Sequence, residues 1–226
     1  MSESPSIAAF VPMRHDSERV RGKNYRPLGG KPLYHHIIET LLACDLITQV
    51  VIDTDSDFIM EDAAAHFPTV QLVERPLDLR GGDVPMNDVL GHDVSVVEAD
   101  FYVQTHSTNP LLRPETVQAA LSEFLASRDT HDSLFTVTPL QTRFWTPDGK
   151  AINHDPSVLM RTQDLPPIME ENSCLYVFDR ETLERRGNRI GDRPILFSLD
   201  PNEAWDIDEE SDWVVVEALY AAREAA

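Results

Sequence analysis

Short apolar runs rich in Val, Ile, Phe and Tyr alternate along this chain with amphipathic stretches of helical period. That alternation predicts a largely parallel sheet covered by helices on both faces, because each crossover between parallel strands lays a helix against the sheet. Strands are expected at residues 7–12, 49–54, 70–73, 101–104, 133–138, 174–178 and 195–198, and helices at 32–43, 57–66, 85–99, 114–127, 180–185 and 209–222. Pro32 and Pro114 stand at or near first-turn positions, and Ser56 or Asp57 is a natural cap. With 226 residues the chain can bury a full core as one α/β domain spanning residues 1–226. Between Leu140 and Asn172 the pattern breaks into a polar, Pro-containing stretch without a clean period. Segments of that length serve as lids, binding loops or oligomerisation elements.

Several functions are disfavoured by the residues alone. The opening "MSESPS" has no basic region and the apolar run after it is broken by Pro12, Arg14 and His15, so a cytoplasmic protein without a membrane span is expected. The two cysteines, Cys44 and Cys174, suit buried reduced thiols. "LGGKP" lacks the spacing of a P-loop, and no GxGxxG follows a strand. "DTDSD" imitates the start of a calcium loop, but Phe58 stands where Gly is required and Ala64 where the bidentate Glu belongs. Thr54, Asp55 and Ser56 instead read as a strand end and helix cap, with Asp55 a candidate to face a ligand.

The formal net charge of −20 argues against nucleic acid or an anionic membrane as partner, since a global negative field repels both. Against that background Arg14, Arg19, Arg21 and Lys23 cluster directly after the first strand. In open α/β sheets ligands sit beyond the carboxyl ends of the strands, and the loop after the first strand commonly cradles phosphate. Ser17 adds a hydroxyl there and Gly22 allows close backbone approach; the competing reading is a solvated loop paired with surface carboxylates. Near the other end, "EAWDIDEESDW" places Asp206 and Asp208 two residues apart in an extended segment, so both carboxylates point the same way. Such a pair suits Mg²⁺, although Asp208 is also placed to cap the helix that follows.

The stretch "FVPMRHDSERVRGKNYRPLGGKPLYHHIIETLL" resembles the nucleotide-binding signature of the acylneuraminate cytidylyltransferase family. The matches continue in order through "VIDTDSDFI", "ERPLDLRGGDVPMNDVL", "QTHSTNPLLRPETV", "ENSCLYVFDRETL" and "WDIDEESDWVVVEAL". The resemblance implies a Rossmann-like, GT-A-like nucleotidyltransferase sandwich with a mostly parallel sheet. It also implies CTP as substrate, Mg²⁺ as cofactor, release of pyrophosphate, and a homodimer whose partner's inserted segment, residues 140–172 here, covers the acceptor site. Carried over by position, Arg14, Ser17, Arg19, Lys23 and Asn24 match the CTP-binding loop, and Arg75 matches an arginine near the base. Asp206 and Asp208 match the metal carboxylates, with Arg14, Lys23 and Asp208 as the catalytic set. Gln104 matches the glutamine facing the acceptor sugar.

Two departures bear on the acceptor. Glu18 stands where the family has a lysine, and "QTHSTNP" inserts residues after Gln104, which makes His106 a candidate acceptor contact and proton acceptor. A nonulosonic or ulosonic acid is the expected acceptor, with a phosphonate or phosphorylated small molecule as the alternative. Arg113, Arg143 and Arg161 are candidates for a fork that grips its carboxylate, Arg161 foremost, against the competing reading of surface ion pairs. His35 and His36 are expected on a helix surface, and Phe144, Trp145 and Trp205 as packing anchors. A glycosyltransferase would instead use "DTD" at residues 53–55 as its metal motif, and an inert binding protein would keep ligand affinity without turnover.

Overall fold

The computed structural model describes residues 4–17 and 19–225. Glu18, and the first three residues of the "MSESPS" opening, lie outside them. Nine strands form: β1 (Ile7–Met13), β2 (Pro27–Leu28), β3 (Lys31–Pro32), β4 (Gln49–Thr54), β5 (Gln71–Glu74), β6 (Phe101–Thr105), β7 (Ser133–Leu140), β8 (Ile168–Phe178) and β9 (Pro194–Ser198). The helices are α1 (Leu33–Leu42), α2 (Asp57–His66), α3 (Met86–Val96), α4 (Pro114–Ala126), α5 (Arg180–Arg186) and α6 (Glu210–Glu224). Seven strands make one sheet in the order β5-β4-β1-β6-β8-β7-β9. Only β8 runs against its neighbours; the pairs β1–β4, β1–β6, β4–β5 and β7–β9 are parallel.

β1 is an interior strand between β4 and β6, and all seven of its residues are buried because both sheet faces are covered. Its odd positions, Ile7, Ala9, Val11 and Met13, pack against Ile37 and Leu41 of α1 and Val117 and Phe124 of α4. Its even positions, Ala8 and Phe10, face the other way, toward Leu90 and Val94 of α3 and Leu183 of α5. The period of two in a continuous apolar strand thus feeds two cores. Each large side chain buried there contributes roughly 1.5–3 kcal/mol. A third cluster joins Val20, Leu28 and Leu33 to Ile207, Trp213 and Val216. It ties the loop after β1 to the segment before α6, the two places where charge is concentrated.

Helix starts follow local chemistry. The Ser56 side chain accepts from the Ile59 amide, and Pro114 occupies the first turn of α4. At α6 the cap is Glu209, in a reciprocal box with Asp212, so Asp208 is freed from the capping role considered for it.

Three expectations need correction, and one element is new. β8 begins at Ile168, inside the stretch read as patternless, because Met169, Glu170 and Glu171 are exposed and the strand is held there by backbone pairing to residues 137–140. The β2–β3 hairpin, too short to show a period, was not foreseen. His35 and His36 are each only 6% exposed: His36 bonds the Leu28 carbonyl at 3.0 Å, and His35 meets Asp62 at 2.6 Å. Trp145 is half exposed with its ring edge on His154, and Trp205 is more than a third exposed, so neither anchors a core. Cys44 and Cys174 are free and buried, as expected.

Candidate active site

A cleft of about 800 Å³ opens at the carboxyl ends of the central strands. Arg14, Ser17, Arg19, Lys23 and Asn24 line one side, His106, Ser173 and Arg189 another, and Asp206 and Asp208 a third, with Gly81–Val84 at the lip. The loop carrying the cations is held open by short polar latches. Asp55 Oδ1 accepts from the His15 amide at 2.7 Å, and His15 Nδ1 meets the Ser56 hydroxyl at 2.7 Å. Asn24 donates to the Arg14 carbonyl and accepts from the Ser107 hydroxyl, both at 2.7 Å. Gly22, at φ 65°, turns the loop where a Cβ would come within 2.7 Å of the Tyr25 ring. Asn24 and Asp55 therefore shape the loop; Asp55 lies outside the cleft lining, contrary to the ligand-facing role expected of it.

Opposite the loop, Asp206 and Asp208 flank Ile207, which is fully buried in the third core cluster. The Ile207 amide bonds the Thr108 carbonyl at 3.0 Å, which fixes the extended segment with its two carboxylates on the cleft side. Lys23 Nζ donates to the Ile207 carbonyl at 2.5 Å and lies 3.6 Å from Asp208, while Arg19 pairs with Asp208 at 2.6 Å. Burial lowers the Lys23 pKa, opposed by the charges of Asp206 and Asp208. Burial likewise raises that of Asp206, against a hydrogen bond from Thr108. One oxygen of Asp206, Oδ1, is buried without a partner. Arg14 lines the cleft beside these groups, and among the described residues it has no ion pair.

The far wall was only partly legible. Gln104 is fully buried beneath the cleft, where its amide nitrogen donates to the Thr105 carbonyl and to His106 Nε2, each at 3.0 Å. Occupied Nε2 leaves His106 with a donating Nδ1–H, and burial together with Arg189 pushes its pKa down to about 4. It is a neutral imidazole whose Nε2 is taken up by Gln104. Arg189 was missed: it stacks on Tyr176, 3.6 Å from the ring centroid, and its Nη1 is buried without a partner. Its signal, an arginine in the "GNRIGDR" turn after α5, has no period or spacing that distinguishes it from its neighbours.

The arginines proposed as a fork are elsewhere. Arg161 pairs with Asp164 at 2.6 Å on an exposed turn, Arg113 approaches Glu203 at 3.7 Å, and Arg143 donates to the Met160 carbonyl. None of the three lines the cleft: Arg143 and Arg161 meet partners within residues 140–172, and Arg113 meets Glu203. Arg75 does line it, although its guanidinium is committed to the buried Asp53. With Asp53 so paired and Asp55 on the loop, "DTD" is no metal motif.

A sheet of this order, with a basic loop after its first strand facing a carboxylate pair across one cleft, defines a nucleotidyltransferase. The sequence matches the cytidylyltransferase family over residues 8–218, and the chain belongs to that family of CTP-dependent enzymes. It is 26% identical over 97% of its length to the CMP-N,N'-diacetyllegionaminic acid synthase of Legionella pneumophila, 98% of which is covered. It is 25% identical over 95% of its length to the N-acylneuraminate cytidylyltransferase of Oncorhynchus mykiss, half of which is covered. The resemblance to acylneuraminate cytidylyltransferases is borne out. The fold matches that of CMP:2-keto-3-deoxy-manno-octonic acid synthetase complexed with CTP, with a TM-score of 0.72 at 17% identity, over 96% of this chain and 99% of that one.

Proposed function

We propose that this cytidylyltransferase transfers CMP from CTP to a nonulosonic or ulosonic acid, a sugar that carries a carboxylate. The observation that carries the acceptor class is Arg189, a cation in the cleft wall whose Nη1 is buried and unpartnered, beside a neutral donating His106. A carboxylate fits two such donors, and a buried charge without an anion is costly. Relatives acting on legionaminic and neuraminic acids agree with this reading.

In the proposed step an acceptor hydroxyl oxygen attacks the α-phosphorus of CTP in line; the new O–P bond forms as the bond to pyrophosphate breaks, and the hydroxyl proton is released to water. Positioning and neutralisation of charge on the phosphate oxygens lower the barrier. Arg14, Arg19 and Lys23 line the side where the triphosphate would lie, with Ser17 as a further donor. Binding of the triphosphate would draw Arg19 and Lys23 from Asp208. Asp206 and Asp208 fit Mg²⁺, since one buried oxygen of Asp206 lacks any partner and oxygen donors suit a hard cation. Bound there, Mg²⁺ would supply neutralisation of phosphate charge. The same reading takes the protein as a cytoplasmic homodimer in which a second copy covers Trp145, Ile152, Val158 and Leu159 of the insertion, all at least half exposed.

Pyrophosphate release with each of four nucleoside triphosphates and a panel of ulosonic acids and phosphonates tests the reading. CTP-specific release with carboxylated sugars, lost in Asp208→Ala, is expected; release with phosphonates alone would overturn the acceptor class. Arg189→Ala is expected to raise the acceptor KM roughly 10- to 100-fold, about the 1.5–3 kcal/mol of a charged hydrogen bond, with the KM for CTP little changed.

A further inference from the structure

Away from the cleft, α1 and α2 bring together a cluster that the nucleotidyl transfer does not use. His35 projects from α1, and Asp62 and His66, four residues apart, share one face of α2. His35 Nε2 lies 2.6 Å from Asp62 Oδ2, and His66 Nδ1 lies 3.2 Å from Asp62 Oδ1 and 2.8 Å from the Asp62 carbonyl oxygen, which leaves His66 Nε2 free to ligate. One ligand atom from each of the three falls within 4.8 Å of the others. A tetrahedral ion about 2.1 Å from its ligands holds them roughly 3.4 Å apart, so small side-chain adjustments suffice.

From this geometry we infer that His35, Asp62 and His66 form a site for a divalent transition ion, Zn²⁺, that clasps α1 to α2. Two imidazoles and a carboxylate are a donor set for zinc rather than for magnesium, which prefers oxygen. The surroundings are those of a built site. The Tyr34 hydroxyl donates to Asp62 and orients it, an outer-shell bond of the kind that fixes metal ligands. Phe67 packs against His35, with ring centroids 4.8 Å apart, and walls off one side. His35 is buried while the His66 side chain is 58% exposed, so the cluster is reached from solvent on the His66 side.

Calorimetric titration of tag-free, metal-depleted protein with Zn²⁺ tests the inference. Because the cleft carboxylates also bind cations, the titration is run on wild type, Asp208→Asn and His66→Ala, the last chosen because an exposed side chain can be removed without unfolding the chain. One Zn²⁺ site that persists in Asp208→Asn and weakens at least 10- to 100-fold in His66→Ala is expected, that being the loss seen when even an outer-shell partner is removed. Co²⁺ in place of Zn²⁺ should show tetrahedral visible absorption in the first two proteins and not in the third. Absence of Zn²⁺ binding by wild type, unchanged affinity in His66→Ala, or loss of the site in Asp208→Asn would each overturn it.

Discussion

Lys23→Met is expected to lower kcat/KM for CTP-dependent pyrophosphate release by roughly 10²–10³-fold, the cost of removing one preorganised donor from a developing charge. Methionine keeps the length of the stem and removes only the ammonium. The side chain is nearly buried, so its charge acts through little water. The ammonium also holds the Ile207 carbonyl, and through it the spacing of Asp206 and Asp208. Arg19, at the exposed end of the same cluster, is the contrast: its side chain is 59% exposed, and Arg19→Met is expected to cost about tenfold or less. Steady-state kinetics on both variants, with thermal unfolding as a control, checks the ranking. Equal losses from the two would mean that bulk charge, rather than the buried ammonium, lowers the barrier.

The difference between these two cations shows what the sequence could and could not disclose. Both stand in the same basic run, and the alternation of strands and helices was enough to place that run at the carboxyl end of β1. The pairing of Asp206 with Asp208 was legible for the same reason, since an extended backbone puts alternate residues on one side. What a chain cannot display is which partners satisfy a polar group. Arg161 and Arg189 are both arginines in loops after strands or helices, yet one finds Asp164 three residues away and the other reaches Tyr176 across the fold. His35 and His36 looked exposed because histidine is polar; a carbonyl from β2 and a carboxylate from α2 make their burial tolerable. The stretch from residue 140 to 172 shows no period because its strand residues, Met169 to Glu171, are exposed, so no face selects apolar side chains.

A buried group of the same kind sets the pH dependence of stability. Asp53 on β4 and Asp93 on α3 are both fully buried, with Arg75 as the one cation paired to Asp53. One guanidinium balances one carboxylate, so the pair keeps a proton. Burial, with the Asp53 charge adding to it, pushes the Asp93 pKa up to about 8. Asp53 Oδ2 and both Asp93 oxygens lack a partner, and a proton kept on the pair lowers the cost of burying them. Between the unfolded value near 3.8 and about 8 the native state therefore holds more protons than the unfolded chain. By linkage its stability falls as pH rises through that window, by on the order of a few kcal/mol, and levels off above it. His106 and His36, whose pKa values are lowered by burial, contribute the opposite slope below about 6.5. Asp93→Asn isolates the effect, because the amide can donate to Asp53 Oδ2 without titrating. The variant is expected to match or fall below wild type near pH 5 and to exceed it near pH 8, where the difference shifts the unfolding midpoint by several degrees. Thermal unfolding at the two pH values measures this. Parallel pH profiles for the two proteins would show that Asp93 is ionised in the native state, and that Arg75 is shared by two buried anions beside the cleft.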